Sequence, residues 1–189
     1  MYIFIGIVVA VIIILVIVLR QVNQYQRGVM FLMGRFTGIK EPGWRLVIPI
    51  FQQLKKVDMR VKAIDVPEQK AITKDNISVG VNAVIYYRVT DAAKAILEVE
   101  DFIYAMSQLA QTSMRNAVGE VELDELLAQR DKISERIRSV VDGASDPWGI
   151  KVSNVELKDI ALAADMERTI AKQAEAEREK RSVIIKAEG

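Results

Sequence analysis

Read from the N-terminus, the apolar positions of the chain follow four successive rules, and each rule predicts a different element. Residues 1–19 (MYIFIGIVVAVIIILVIVL) are apolar throughout except for Gly6. As a helix rising about 1.5 Å per residue, the run reaches about 28 Å, close to a hydrocarbon core of roughly 30 Å. The alternatives are a buried core helix and a cleaved signal peptide. No basic side chain precedes the run, and Arg20-Gln21-Val22-Asn23 offers no small-residue cleavage site. The pattern therefore predicts an uncleaved transmembrane anchor over residues 1–21. Gly6 and Ala10 add a small-xxx-small pair, a spacing common by chance in such helices.

Beyond the run the period falls to two. Gly28 to Met33 (GVMFLM) reads as a strand, with Gly34 and Gly38 punctuating the turn after it. Pro42-Gly43 marks a second turn before WRLVIPIF at residues 44–51. Two readings of that segment stand side by side. It is a core strand ending at Pro49, or it dips into the headgroup region beside the anchor, with Trp44, Ile48 and Phe51 in membrane contact. Val57, Met59, Val61 and Ala63 alternate, and Ile64 and Val66 then shift the face by one, as at a bulge. The clearest strand is residues 77–89, where Ile77, Val79, Val81, Ala83, Ile85, Tyr87 and Val89 share one side. Asp75-Asn76 before it is a turn signal, so residues 70–73 are expected to pair back as a hairpin.

The period then lengthens to three and four. Phe102, Ile103, Met106, Leu109, Ala110, Met114 and Ala117 describe an amphipathic helix that stops near Gly119. Leu123, Leu126, Leu127, Ile133, Ile137, Val140 and Val141 mark a second helical stretch ending before Pro147. Asp146-Pro147-Trp148-Gly149 turns the chain into a last strand over residues 150–160, whose apolar face slips between Val152 and Val155. Strands, then helices, then a returning strand predict a small α+β domain over residues 22–162. Its membrane-proximal β part is placed at about 22–70 and its α+β part at about 71–162. Residues 163–189, rich in Ala, Glu, Lys and Arg, predict one long charged helix. Glu177 and Arg181 are four apart on it. Met166, Ile170, Ala174 and Ile184 are the positions through which such a helix would align with copies of itself, against the alternative of a solvated rod.

Composition narrows the chemistry. The 189 residues contain no histidine and no cysteine. That removes imidazole bases, thiolate nucleophiles, disulfides and Cys/His zinc sites, and leaves the redox compartment undetermined. Charged residues make up 27% of the chain, yet mean hydropathy is +0.16. The two coexist because the apolar excess sits in the N-terminal run. The net charge of +1 conceals a polarity. Residues 1–62 carry nine bases (among them Arg20, Arg27, Arg35 and Arg45) against Glu41 and Asp58, whereas residues 91–135 carry ten acids against four bases. A near-neutral total argues against nucleic-acid binding, which needs a broadly basic face. Bases confined to the membrane-proximal third suit an anionic leaflet instead. By the positive-inside rule they place the main domain in the cytoplasm and the N-terminus outside.

No cofactor or metal site is expected. A membrane-tethered hydrolase is the alternative from a different class, using Ser182 and Lys186 or the acids Glu120, Glu122, Asp124 and Glu125. Ser182 and Lys186 lie one helical turn apart on a highly charged helix, where nothing desolvates the lysine. The acids lack the spacing of a metal loop. No residue stands out as catalytic.

Several collinear segments resemble the stomatin/prohibitin/flotillin (SPFH, band-seven) superfamily, and within it the stomatin or slipin branch. They are YQRGVMFLMGRF at residues 25–36, Pro42-Gly43 with Pro49, and Val57-Asp58-Met59-Arg60. TKDNISVGVNAVIYYRV at 73–89, LAQTSMRNAVG at 109–119 and DELLAQRDK at 124–132 follow. DPWGIKVSNVELKDI at 146–160 and AKQAEAEREKRSVIIKAEG at 171–189 complete the set. The resemblance implies a membrane-anchored scaffold without catalytic activity, assembled into rings or cages that enclose a membrane patch and modulate channels or membrane proteases. For prokaryotic relatives it implies an association with a membrane serine protease of the NfeD type. It also implies that the segment at residues 44–51 lies against the membrane. Animal stomatins carry a palmitoylated cysteine and a proline-kinked membrane hairpin, whereas this chain has no cysteine and a plain apolar run, which points to a prokaryotic-type relative. Family members usually continue the helix past the position matching Gly189 and end in an apolar segment.

Overall fold

In the computed structural model, Gly6, Val16, residues 18–162, Lys180 and Ser182 are described. Among the described residues, eight strands and four α-helices run in the order β1 (Leu19–Val22), β2 (Gln26–Leu32), β3 (Arg35–Lys40), β4 (Gly43–Leu46), β5 (Gln52–Asp58), β6 (Lys62–Ile72), β7 (Ser78–Val89), α1 (Lys94–Leu97), α2 (Phe102–Gly119), α3 (Leu123–Ala128), α4 (Arg130–Ser145) and β8 (Ile150–Leu162). The strands form three antiparallel sheets: a β1-β4 ribbon, a β3-β2-β5 sheet and a β6-β7-β8 sheet.

The third sheet holds the core. Val79, Val81, Ala83, Ile85, Tyr87 and Val89 alternate along β7 and are all buried, because α2 and α4 cover that face of the sheet. Asp101 starts α2 by accepting from the backbone N–H groups of Ile103 and Tyr104 at 2.9 and 3.0 Å, which satisfies two of the helix's orphan donors. Met106, Ala110, Met114 and Ala117 then form its inward stripe. Ile133, Ile137 and Val141 do the same for α4. Asp142 ties α4 to β8: its carboxylate accepts from Lys151 Nζ at 2.6 Å and from the Val152 N–H at 3.0 Å. The hairpin between β6 and β7 turns at residues 73–77, where Asn76 adopts φ +64°. A polar tie follows as the Thr73 hydroxyl accepts from the Ile77 N–H at 3.1 Å.

Five expectations need adjustment. The segment at residues 44–51 is not a core strand ending at Pro49: β4 stops at Leu46, and of the eight side chains only Val47 is buried. The shift of face after Ala63 does not mark a bulge. The chain leaves the second sheet at Asp58 and enters the third at Lys62, and the register shift comes later, between Val66 and Gln69. This change of sheet at residues 59–61 also comes earlier than a boundary near residue 70. The helical stretch after Leu123 is two helices, since Gln129 takes φ −121° and ψ 43° between them. Finally, residues 19–21, expected to close the anchor, belong to β1. The rest of the expected anchor lies outside the described residues apart from Gly6, Val16 and Val18, and so does the charged C-terminal helix apart from Lys180 and Ser182.

Candidate functional site

The end of the molecule next to the N-terminal run is built from two loops and a ribbon. β1 continues directly from Val18 and pairs with β4 so that Leu19 faces Leu46 and Arg20 faces Arg45. The Val47 N–H donates to the Val18 carbonyl at 2.8 Å, extending that pairing by one residue. Pro49, which has no N–H to give a ladder, then breaks the strand. Residues 48–52 close into a tight turn: the N–H groups of Phe51 and Gln52 both donate to the Ile48 carbonyl, at 3.1 and 2.8 Å. The Gln52 side chain caps it from outside, accepting from the Ile48 N–H at 3.2 Å. The Met33 N–H donates to the Phe51 carbonyl at 2.8 Å, which pins the β2–β3 turn beside the first loop. Met33 and Gly34 both take positive φ there, +47° and +83°.

The side chains on this end are large, apolar and uncovered. Trp44 is 68% exposed, Ile48 48% and Phe51 51%. Leu46, Ile50 and Met33 beside them are 66%, 86% and 78% exposed, and Leu32 and Phe36 continue the patch. Isolated exposed apolar residues are ordinary, but a contiguous cluster of this size marks a surface that something else covers. Arg20, Arg35 and Arg45 fringe it; Arg20 and Arg35 are exposed, and Arg45 Nε donates to the Glu41 carbonyl at 3.2 Å. Trp44, Ile48 and Phe51 thus come together, as the sequence spacing expects. Leu46, Ile50 and Met33 join them unannounced. Their signals were Pro49 in an apolar run and the Gly34 turn, which keep both loops from being strands.

The remaining candidates have plainer surroundings. Met166, Ile170, Ala174, Ile184 and Lys186 lie outside the described residues. Glu120, Glu122 and Asp124 are exposed, Glu120 paired with Arg136 and the half-buried Glu125 with Lys132 at 3.8 Å. Among the described residues no group of acids is arranged to hold a metal ion, and no helix is long and apolar enough to cross a membrane. The most perturbed carboxylate is Asp58, at the far end of β5. Arg60 grips it through two side-chain hydrogen bonds of 2.8 and 3.1 Å and stacks on the Tyr25 ring at 4.0 Å. Those bonds, opposed by burial and aided by Lys62, hold the Asp58 carboxyl far below its ordinary value. This is a structural clasp between β2 and β5.

The SPFH domain / Band 7 family model matches residues 20–189. Among curated relatives, a stomatin homolog of Pyrococcus abyssi is 49% identical over 170 residues, covering 90% of this chain and 63% of the relative. A stomatin homolog of Pyrococcus horikoshii is 48% identical over 170 residues, covering 90% of this chain and 64% of the relative. Mouse stomatin is 41% identical over 175 residues, covering 92% of this chain and 62% of the relative. The chain therefore spans a little under two thirds of the length of these three. With a match over nearly all of its residues, the chain belongs to the SPFH domain / Band 7 family, in the stomatin branch.

Proposed function

We propose that this protein is a non-enzymatic, membrane-bound scaffold that assembles with copies of itself and organises a patch of bilayer. The N-terminal run spans the membrane in this reading, the body lies on the cytoplasmic side, and the apolar end enters the headgroup region beside the span. One observation carries the reading: the exposed Trp44, Leu46, Ile48, Ile50, Phe51 and Met33 lie around Val47, whose N–H donates to the carbonyl of Val18, next to last in the apolar run. A surface tethered at the membrane has the bilayer as its nearest cover. Fully covering one large apolar side chain contributes about 1.5–3 kcal/mol, so several together outweigh about 1 kcal/mol from each nearby arginine on an anionic leaflet. The clients of the scaffold would be membrane proteins, with a membrane serine protease of the NfeD type or a channel as the leading classes.

The two tryptophans provide the test. Trp44 sits in the apolar end, whereas Trp148 precedes β8, whose first residue pairs with Val89 beyond the far end of β5. In vesicles containing brominated phosphatidylcholine, the full chain with Trp148→Phe should show strongly quenched Trp44 emission. The chain with Trp44→Phe should keep most of its Trp148 emission. Equal quenching of both, or none of Trp44, would remove the membrane from this surface.

A further inference from the structure

A separate cleft of about 430 Å³ opens where β5 meets the third sheet. Its floor is apolar, made by Tyr87, Val89, Ile96 and Phe102, with the Tyr87 and Phe102 rings edge to face at 5.8 Å. Its mouth is basic. Lys55, Lys56 and Lys62 line it, and the one acid among them, Asp58, is held by Arg60 at 2.8 Å and Lys62 at 3.5 Å. Neither Lys55 nor Lys56 has an ion-pair partner among the described residues; Lys55 Nζ lies 5.9 Å from the Phe31 ring. Tyr87, only 3% exposed, lines the cleft. Burial, reinforced by Asp58 and Asp101, raises its pKa, so the hydroxyl stays a neutral donor at physiological pH.

We infer that this cleft binds a long-chain fatty acid, with its carboxylate at the lysine-lined mouth and its acyl chain along Val89, Ile96 and Phe102. The cleft has the size and the position between two packed units typical of small-ligand sites. Cations at the mouth select an anion, and the floor selects a hydrocarbon. Tyr87 is the one hydrogen-bonding group on that floor. A peptide would bring amide groups that the floor leaves unpaired at a cost, whereas an acyl chain brings none. The inference is independent of what covers the apolar end of the molecule.

The test uses the full chain in phosphatidylcholine vesicles with a diazirine-bearing palmitic acid analogue. After irradiation, mass spectrometry should find the label on peptides from β5 and from residues 94–104. Excess palmitate should suppress that labelling and excess hexadecanol should not. Lys55→Glu combined with Lys56→Glu should lower it at least tenfold, and Tyr87→Phe severalfold. Both lysines are exposed, so their replacement leaves the core packed. Suppression by hexadecanol as strong as by palmitate would overturn the inference, as would unchanged labelling of the lysine variant. So would label confined to residues 44–51 and the N-terminal run, the pattern of simple partitioning into the bilayer.

Discussion

At the scale of single residues, Gly149 is the position with the least freedom. It takes φ +69°, and a Cβ built there would lie 2.7 Å from Asp91 Cβ and 2.8 Å from the Asp91 carbonyl oxygen. Its own carbonyl accepts from the N–H groups of Thr90 and Asp91 at 2.8 and 3.0 Å and from the Thr90 hydroxyl at 2.9 Å. The backbone there cannot retreat without breaking the junction between β7 and β8. Gly34 has a comparable φ of +83° but nothing within 4 Å of an added Cβ. Left-handed backbone alone costs an alanine about 1–2 kcal/mol. Gly34→Ala should therefore lose about 1 kcal/mol in urea unfolding of the detergent-solubilised protein. Gly149→Ala should lose about 3 kcal/mol, since the collision with fixed backbone adds to the torsional cost. Equal losses would mean that the β7–β8 junction yields more easily than its hydrogen bonds imply.

At the scale of elements, two carboxylates fasten pieces together, and both work only when ionised. Asp58 joins β5 to the connection through Arg60, whose hydrogen bonds lower its pKa most. Burial alone would raise the Asp142 carboxyl, but Lys151 and the Val152 N–H outweigh it and leave it lowered. Each folded-state value thus lies below the ordinary 3.8 of the unfolded chain. The stability they contribute is complete above about pH 5 and lost as pH falls through the folded values. The melting temperature should accordingly stay level from pH 7 to about 5 and drop below about pH 4. Asp142→Asn should lower it at neutral pH and flatten the acid limb; a parallel acid limb would assign the loss to other groups. How far such elements can be read from sequence depends on what fixes them. β7 and α2 were legible because one sheet face and one helix stripe are buried against each other, and period reports that directly. The move from the second sheet to the third at residues 59–61 was not, since alternation says which side is buried and nothing about which strand is the neighbour. The break at Gln129 was equally silent, with no Gly or Pro to announce it. The apolar end was half legible. Trp44, Ile48 and Phe51 use the same residue types that fill a core, and only Pro49 hinted that no strand would carry them inward.

At the scale of the whole molecule, the charge segregation and the exit points of the chain belong to one arrangement. The N-terminal run enters beside Val47 at the apolar end, and β5 leads from there to the crease at Asp58. One end of the third sheet meets that crease. The other end carries Ile72, Ser78 and Leu162, about eleven residues of β6 away. Residues 163–189 therefore continue from the end of the third sheet remote from the crease. The acidic segment 91–135 lies on the helices that cover this sheet, well separated along the chain from the basic β1–β5 part. The sequence of residues 163–189 predicts a polar helix with few apolar positions, and we propose that Met166, Ile170, Ala174 and Ile184 take copies of the same segment as their cover. Opposite charges on each body at the same time disfavour random stacking of like faces. Light scattering of the full chain in mild detergent at micromolar concentration should then give a particle many chains in mass. Met166→Asp with Ile170→Asp should reduce it towards the monomer while leaving the melting temperature of the body unchanged, because both positions lie beyond β8. A monomeric wild-type chain would sink self-assembly through these residues, and an undiminished particle in the variant would shift the contact onto the charged faces of the body.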